Sequence, residues 1–534
     1  MIGAHLMIIV VVGLGLPRPA AAQVLYGSLT GNVTDQASAA IVGARVEVIT
    51  GSTGVSKTTT TDDRGSYTVS ELQPGTYTVT ITAGSFKTLE QKNVRVDANM
   101  VRRLDVQLQA SGVSETISVT ASSVTIQSDR ADINISQPAR QVNDLPLVGS
   151  AGRNYQSLMG LVPGAVLQGE QNSAAGSPQR SISFNVNGVS RMQNNTRIDG
   201  ASVIYPWLPT NTVYVPPAEG IQEVNIVTNS FDAEQGLAGG AAINVIIKNG
   251  TNEFHGAGWI YDTNSALRTR NYFQTTPQNP KDILVQFGYA VSGPIIKNKL
   301  FFFTDLERTT RRNTSRTNLA SVAPATLRPG SGGVTFPTAA QGGATIFDPA
   351  SNPNPTLRTP FPNNTIPFSR IDIAAVELLK LMPLPTGPGF INNFVANGVA
   401  LFNRTNIDGK VNYLHNDKLT VWGRYSISPT NIVEPPIFGP ADGPALNGGQ
   451  LGDAPSRIQL AGVGGTYTFS PTLILDATFG YTRQRLGAEA PDIGQNLGLE
   501  LLQIPGTNGP DRLQGGLPSF QIAGWTNIGN DNTG

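Results

Sequence analysis

The sequence predicts a mainly β protein: an N-terminal β-sandwich, a small α/β domain, and part of a transmembrane antiparallel β-barrel. Three observations carry that expectation. Residues 24–110 break into about seven short strand runs separated by Gly, Pro and Asp turns. From residue 251 the runs lengthen to roughly ten residues, the length a tilted membrane strand needs. The connections between those long runs alternate short and long, as they do in barrels that cross a bacterial outer membrane.

A chain of 534 residues has room for several domains. Charged residues make up only 14% of it, against about a quarter in soluble domains. Lys plus Arg and Asp plus Glu balance at 37 each, so nothing electrostatic points to nucleic acid or to an anionic membrane surface. Cysteine is absent, which excludes disulfides, thiolate nucleophiles and thiolate metal sites. No apolar run approaches the roughly 18 residues of a transmembrane helix. A membrane crossing must therefore be made by strands.

Residues 1–22 read as a secretory signal peptide. Residues 6–16 form its apolar core, and Ala20-Ala21-Ala22 supplies an A-x-A cleavage site before Gln23. His5 stands where a Lys or Arg is usual, which leaves open whether Met1 is the true start. A buried core strand is the alternative reading of the same run.

Residues 23–110 form the sandwich. Val46 and Val48 mark one strand, Asp62-Asp63-Arg64-Gly65 a turn, and the alternating runs 67–69 and 77–81 two more, split by Gln73-Pro74-Gly75. Gly31-Asn-Val-Thr-Asp35, Gly43-Ala-Arg-Val46, Asp63-Arg-Gly-Ser-Tyr67 and Leu72-Gln-Pro-Gly-Thr-Tyr-Thr-Val79 resemble the carboxypeptidase regulatory-like, transthyretin-like domain. That resemblance implies an accessory module with a carbohydrate-binding-like fold, not a peptidase.

In residues 123–250, Asp144-Leu-Pro-Leu-Val-Gly149, Arg153-Asn-Tyr-Gln-Ser-Leu158, Leu161-Val-Pro-Gly164, Phe184-Asn-Val-Asn-Gly188 and Asn194-Asn-Thr-Arg-Ile-Asp-Gly200 occur in order. The run from Glu219 follows, with a strand over 221–227 and another on Ile243, Val245 and Ile247, punctuated by Gly239-Gly240 and Gly250. Together they resemble the plug domain of TonB-dependent outer-membrane receptors, in their Oar-like branch. Between sandwich and plug, residues 111–122 read as a polar, flexible tether. Its segment Glu115, Thr116, Ile117, Ser118, Val119, Thr120 and Ala121 resembles the TonB box that such receptors offer to an energy-coupling partner. An ordinary linker strand is the alternative.

Residues 251–534 then hold about seven strands. Ile407, Gly409, Val411 and Tyr413 alternate with Asn406, Asp408, Lys410 and Asn412, and Leu473, Leu475, Ala477, Phe479 and Tyr481 with Asp476, Thr478 and Thr482. Val285/Phe287/Tyr289/Val291 and Leu419/Val421/Tyr425/Ile427 behave likewise, except that Trp422 falls on the polar side; residues 457–469 alternate poorly. Tight turns at 294–298, 415–417 and 470–471 separate long links at about 263–283, 309–404 and 429–456. Within the longest link, Ser369 is expected to cap a helix with Ile371, Ala374, Ala375, Leu378, Leu379 and Met382 on one face, ended by Pro383. Seven strands are an odd number and too few to surround a plug, so the sequence is expected to be the N-terminal part of a larger barrel.

No catalytic constellation, cofactor motif or metal-ligand spacing is present in the sequence: His5, His255 and His415 are scattered, and neither G-x-S-x-G nor a phosphate loop occurs. Asp62-Asp63 reads as turn chemistry. Arg308, Arg311, Arg312 and Arg316 form a basic cluster, either a solvated loop end or a site for anionic groups. The resemblance implies an outer-membrane receptor that is not an enzyme, with sandwich and tether in the periplasm. Its partners would be an inner-membrane TonB-type complex, outer-membrane lipid and an extracellular substrate, with no nucleic acid. The competing readings are an adhesion or carbohydrate-binding protein that transports nothing, and an accessory subunit whose sandwich serves a partner enzyme.

Overall fold

A computed structural model describes residues 26–110, 116–120, 132–147, 149–170, 172–230, 235–270, 272, 279–314, 318–446, 449–470 and 473–530. The signal-peptide segment lies outside them, as do Glu115, Ala121 and Arg316.

The sandwich is made of β1 (Gly27–Thr34), β2 (Arg45–Thr50), β3 (Ser56–Thr60), β4 (Ser66–Leu72), β5 (Gly75–Thr82), β6 (Thr88–Val96), β7 (Val101–Arg103) and β8 (Val106–Gln107). In β1 every second residue is buried, as a strand with one face on a core requires. One sheet runs β4-β1-β7, with β8 also on β1; the other runs β3-β2-β5-β6. Leu29, Val33, Val46, Val48, Val79, Ile81 and Val94 fill the space between them. Asp62 Oδ1 accepts from the main-chain N–H groups of Arg64 and Ser66, which makes the Asp62-Asp63 pair a turn.

The second sheet has a fifth strand. Residues β9 (Thr116–Thr120) lie parallel to β6, with Thr88 opposite Thr116, Glu90 opposite Ser118 and Lys92 opposite Thr120. The expected free tether is, over these residues, an edge strand of the sandwich. The reason is generic: an extended segment beside an open sheet edge satisfies its main-chain groups there.

The plug has β10 (Ile133–Pro138), β11 (Ala165–Gly169), β12 (Ser183–Val186), β13 (Asn195–Ile198), β14 (Ala201–Ser202), β15 (Ile221–Asn229) and β16 (Ala242–Ile247). Its sheet runs β10-β15-β16-β13-β14. All six residues of β16 are buried, so both faces are covered. That is why its apolar run is nearly continuous. A six-residue helix, Ala139–Asp144, and a 3-10 turn, Tyr155–Leu161, capped by the Asn154 side chain, supply the helical part.

The third unit is a curved wall. After β17 (His255–Asn264), β18 (Asp282–Ile296) and β19 (Leu300–Thr314), four short pieces lie in the long link: β20 (Asn318–Ala320), β21 (Val334–Thr335), β22 (Thr365–Ile366) and β23 (Phe394–Ala396). The wall resumes with β24 (Val399–Asn416), β25 (Leu419–Glu434), β26 (Gly452–Ser470) and β27 (Leu473–Leu486). Its seven strands pair antiparallel in sequence order, β17-β18-β19-β24-β25-β26-β27, and the sheet is open. Val411, Tyr413, Leu475 and Phe479 are exposed on the outer face, whereas Asn406, Asp408, Lys410 and Asn412 are buried against the plug. The alternation in the sequence is therefore apolar toward lipid and polar toward the interior.

The strands run further than expected, and the links shrink to residues 265–281, 315–398 and 435–451. The extensions have partners to bond: Val399 at the start of β24 lies opposite Thr314 at the end of β19. Residues 457–469 form a continuous strand despite their weak alternation. Trp422 points inward and is buried, and glycines of β26 lie beneath it: a Cβ added to Gly464 would meet its ring at 2.7 Å. The helix of the long link is Ile373–Leu381, and Asp372, not Ser369, caps it by accepting from the Ala374 N–H at 2.8 Å. Its Leu378, with Met382, packs on Ile437, Phe438, Leu446, Leu502 and Leu517, so the links 315–398 and 435–451 gather in one apolar cluster with residues that follow β27. The helix packs on a loop bundle.

Candidate functional site

The plug meets the wall through polar contacts made by the inward residues of alternate wall positions. Asp199, at the end of the Asn194–Gly200 motif, is buried between two wall cations. Lys410 Nζ lies 2.9 Å from its Oδ1 and Arg424 Nε 3.0 Å from its Oδ2. Lys410 also donates to the Ile247 carbonyl at 3.0 Å. Two residues from Lys410 on the same strand, β24, Asp408 accepts at Oδ2 from Tyr214 OH at 2.6 Å. Asn406 and Arg404 donate to the carbonyls of Val215 and Gln179, each at 3.0 Å. Arg311 closes the row, donating to Ser150 O at 2.8 Å while its Nε sits 2.9 Å from Asp282. Arg311 is thus a structural link between wall and plug, and Arg308 donates to Thr405 along the wall.

Two glycines bring the backbones this close. A Cβ on Gly220 would meet Asp305 Oδ2 at 2.1 Å, and one on Gly250, where the chain leaves the plug for the wall, would meet Phe302 O at 2.4 Å. At Gly250 the nearest atoms are main-chain, so no larger residue fits there without the backbones moving apart. The interface combines these fixed hydrogen bonds and ion pairs with apolar packing, since Ala290, Phe303, Ile458 and Leu460 of the wall share the plug's buried core.

The sandwich sits at the end of the wall that carries the tight turns. Asn252 bonds Ser52 O through its main-chain N–H at 3.2 Å and Thr53 O through Nδ2 at 2.6 Å, while Asn298, in the turn between β18 and β19, bonds Asn252. Thr468 Oγ1 donates to Glu71 at 3.4 Å, and Tyr26 packs on Trp422. Tyr26 is what covers Trp422, and the sequence pattern of the wall alone held no sign of it. A cavity of about 60 Å³ remains between sandwich and wall, lined by Tyr26, Lys57, Glu71, Phe301, Asn412 and Thr466 among others.

The sandwich also touches the plug. The Ala98 N–H donates to Glu223, Asn225 Nδ2 to Ala98 O at 2.9 Å, and Asn134 Nδ2 to Asn99 O at 3.1 Å. Glu223 is buried, and that burial, with the charge of Asp97 beside it, pushes its carboxyl up to about 8. Of the TonB-box-like residues, Thr116, Ile117, Ser118, Val119 and Thr120 are those of β9. No cluster of three or more His, Asp or Glu residues suited to a metal ion occurs among the described residues.

Residues 246–534 match the family described as outer membrane beta barrel domain, and residues 28–109 match the carboxypeptidase regulatory-like domain. The first match covers more than half of the chain. The chain belongs to the outer-membrane β-barrel family. Its place is the outer membrane. Among curated proteins it is similar to the TonB-dependent transporter Oar of Myxococcus xanthus, 29% identical over 307 residues, which are 55% of this chain and 28% of that protein. The match therefore spans between a quarter and a third of that relative's length. Among solved structures it is similar to a ferric enterobactin receptor of Pseudomonas aeruginosa, with 13% identity and a TM-score of 0.39 over 75% of this chain and 45% of that one. It is likewise similar to the outer membrane transporter YddB of Escherichia coli, with 11% identity and a TM-score of 0.43 over 75% and 43%.

Proposed function

We propose that this protein is a TonB-dependent outer-membrane receptor that takes up a large nutrient using energy supplied from the inner membrane. The observation that carries this reading is the plug itself. It lies against the lumenal face of the wall, joined to it by a row of polar contacts centred on Asp199, Lys410 and Arg424. A protein that only displayed loops would have no use for such a plug.

In this reading a substrate docks on the extracellular loops, and residues 115–121 serve as the coupling segment. A strand of the periplasmic energy-coupling partner pairs with that segment through main-chain hydrogen bonds. Its pull shifts the plug, and the polar contacts with the wall part to open a path. Residues 1–22 are the leader, 23–110 and 111–122 are periplasmic, 123–250 form the plug and 251–534 the wall. The classes of large nutrient in this reading are an oligosaccharide, a peptide and a chelate.

Deleting 115–121 is the test. Uptake that supports growth on the nutrient should stop, while outer-membrane insertion of the protein stays unchanged. Retained uptake would sink the transport reading; retained surface adhesion with no uptake in either strain would favour a display role.

A further inference from the structure

The fifth strand of the sandwich is an edge strand of an unusual kind. In the sheet β3-β2-β5-β6-β9, the edge opposite to it, β3, carries Lys57. β9 reads Thr-Ile-Ser-Val-Thr, with neither Lys nor Pro. Folded proteins commonly blunt an open edge with such residues, because a flat, uncharged strand invites another to pair. β9 is rich in β-branched residues, which favour the extended state. Only its β6 side is paired among the described residues. The sandwich that holds it is bonded to the tight-turn end of the wall through Ser52 and Thr53, and to the plug through Ala98.

We propose that the sandwich presents β9 as a preformed edge, and that one extended strand of the inner-membrane coupling partner adds to its free side while β9 stays on β6. This rests on the coupling reading given above and deepens it. A free segment must be ordered before it can pair, which costs conformational entropy at each residue fixed. A segment already extended on β6 avoids most of that cost. The pull is then received by the sandwich, which passes it to the plug through the contacts of Ala98 with Glu223 and Asn225.

The chain has no cysteine, so Glu90→Cys with Ser118→Cys, at facing positions of β6 and β9, gives a reversible staple. The probe is the purified periplasmic domain of the host's TonB-type protein, with a synthetic peptide of residues 113–123 as reference. The oxidised and reduced staple should bind the probe equally, and both should bind at least about tenfold more tightly than the peptide. Binding lost on oxidation and recovered on reduction would overturn the proposal, because β9 would then have to leave β6. Should the staple impair folding, amide exchange in the unmodified chain decides: protection at 88–92 must persist when the probe is bound, and its loss overturns presentation. If neither peptide nor chain binds, the coupling reading falls and the proposal with it.

Discussion

Asp199 shows how one side chain holds two units together. It lies in a left-handed backbone conformation, φ 45°, and is almost wholly buried, with Lys410 and Arg424 on either oxygen. Asn tolerates the same backbone region, so Asp199→Asn isolates the charge. Two buried cations would then lack their counter-charge, and removing one partner of a buried pair costs about 3–5 kcal/mol. The variant should lower the melting temperature in detergent and raise protease cleavage in the plug, while Asp62→Asn, in an exposed turn, should change neither. The sequence offered Asp199 as part of a motif. Its partners lie more than 200 residues away, so nothing in the local pattern named them.

Glu223 gives the sandwich–plug contact a dependence on pH. It faces Asp97 and Arg95 from the sandwich and Ser136 from β10, and its carboxyl is pushed up to about 8 by burial and then by Asp97. An ordinary carboxyl titrates near 4.3. Because the docked state holds the proton more tightly, docking is fully stabilised below that ordinary value and weakens as pH rises toward about 8. Protection of the amides at 97–100, after correction for the base-catalysed intrinsic exchange rate, should therefore fall between pH 5 and 8, and Glu223→Gln should flatten that profile. An unchanged profile in the Gln variant would place the dependence elsewhere.

At the scale of elements, the alternation of the wall strands was legible because lipid and lumen demand opposite residues at neighbouring positions. What alternation cannot display is a residue whose cover comes from another domain. Trp422 breaks the pattern of β25 because Tyr26 of the sandwich lies against it. The weak alternation of β26 has the same source, since Gly462 and Gly464 make room for the ring. Gly464→Val should cost about 1–3 kcal/mol by overpacking, and a second change, Trp422→Leu, should return part of it. Melting of the single and double variants in detergent checks the coupling; costs that simply add would mean the two positions are independent. The cap of the loop helix was missed for a smaller reason. Asp372 is three residues after Ser369, both are good cap residues, and only the path of the chain through Phe368–Arg370 selects the second.

For the whole molecule, the rhythm of short and long connections sorts the wall into two ends and predicts that the tight turns face the periplasm. The tight turn at Asn298 meets Ser52 and Thr53 of the sandwich through Asn252, and Thr468, near the last turn, meets Glu71. The links 315–398 and 435–451 collect at the other end in a cluster that includes Leu378, Phe438 and Leu446, joined by Leu517 from beyond β27. The docking of β9 was not legible, since main-chain pairing asks so little of sequence. With no native cysteine, single substitutions can report each end in intact cells. Ala350→Cys, in the longest link, should react with a membrane-impermeant maleimide added outside. Asp417→Cys, in a tight turn, should react only after the outer membrane is permeabilised. Both positions are polar loop sites away from the contacts described, so neither change should disturb insertion. Labelling of Asp417→Cys alone in intact cells would turn the molecule over, and would put the sandwich, its edge strand and the coupling segment on the side where no energy-coupling partner exists.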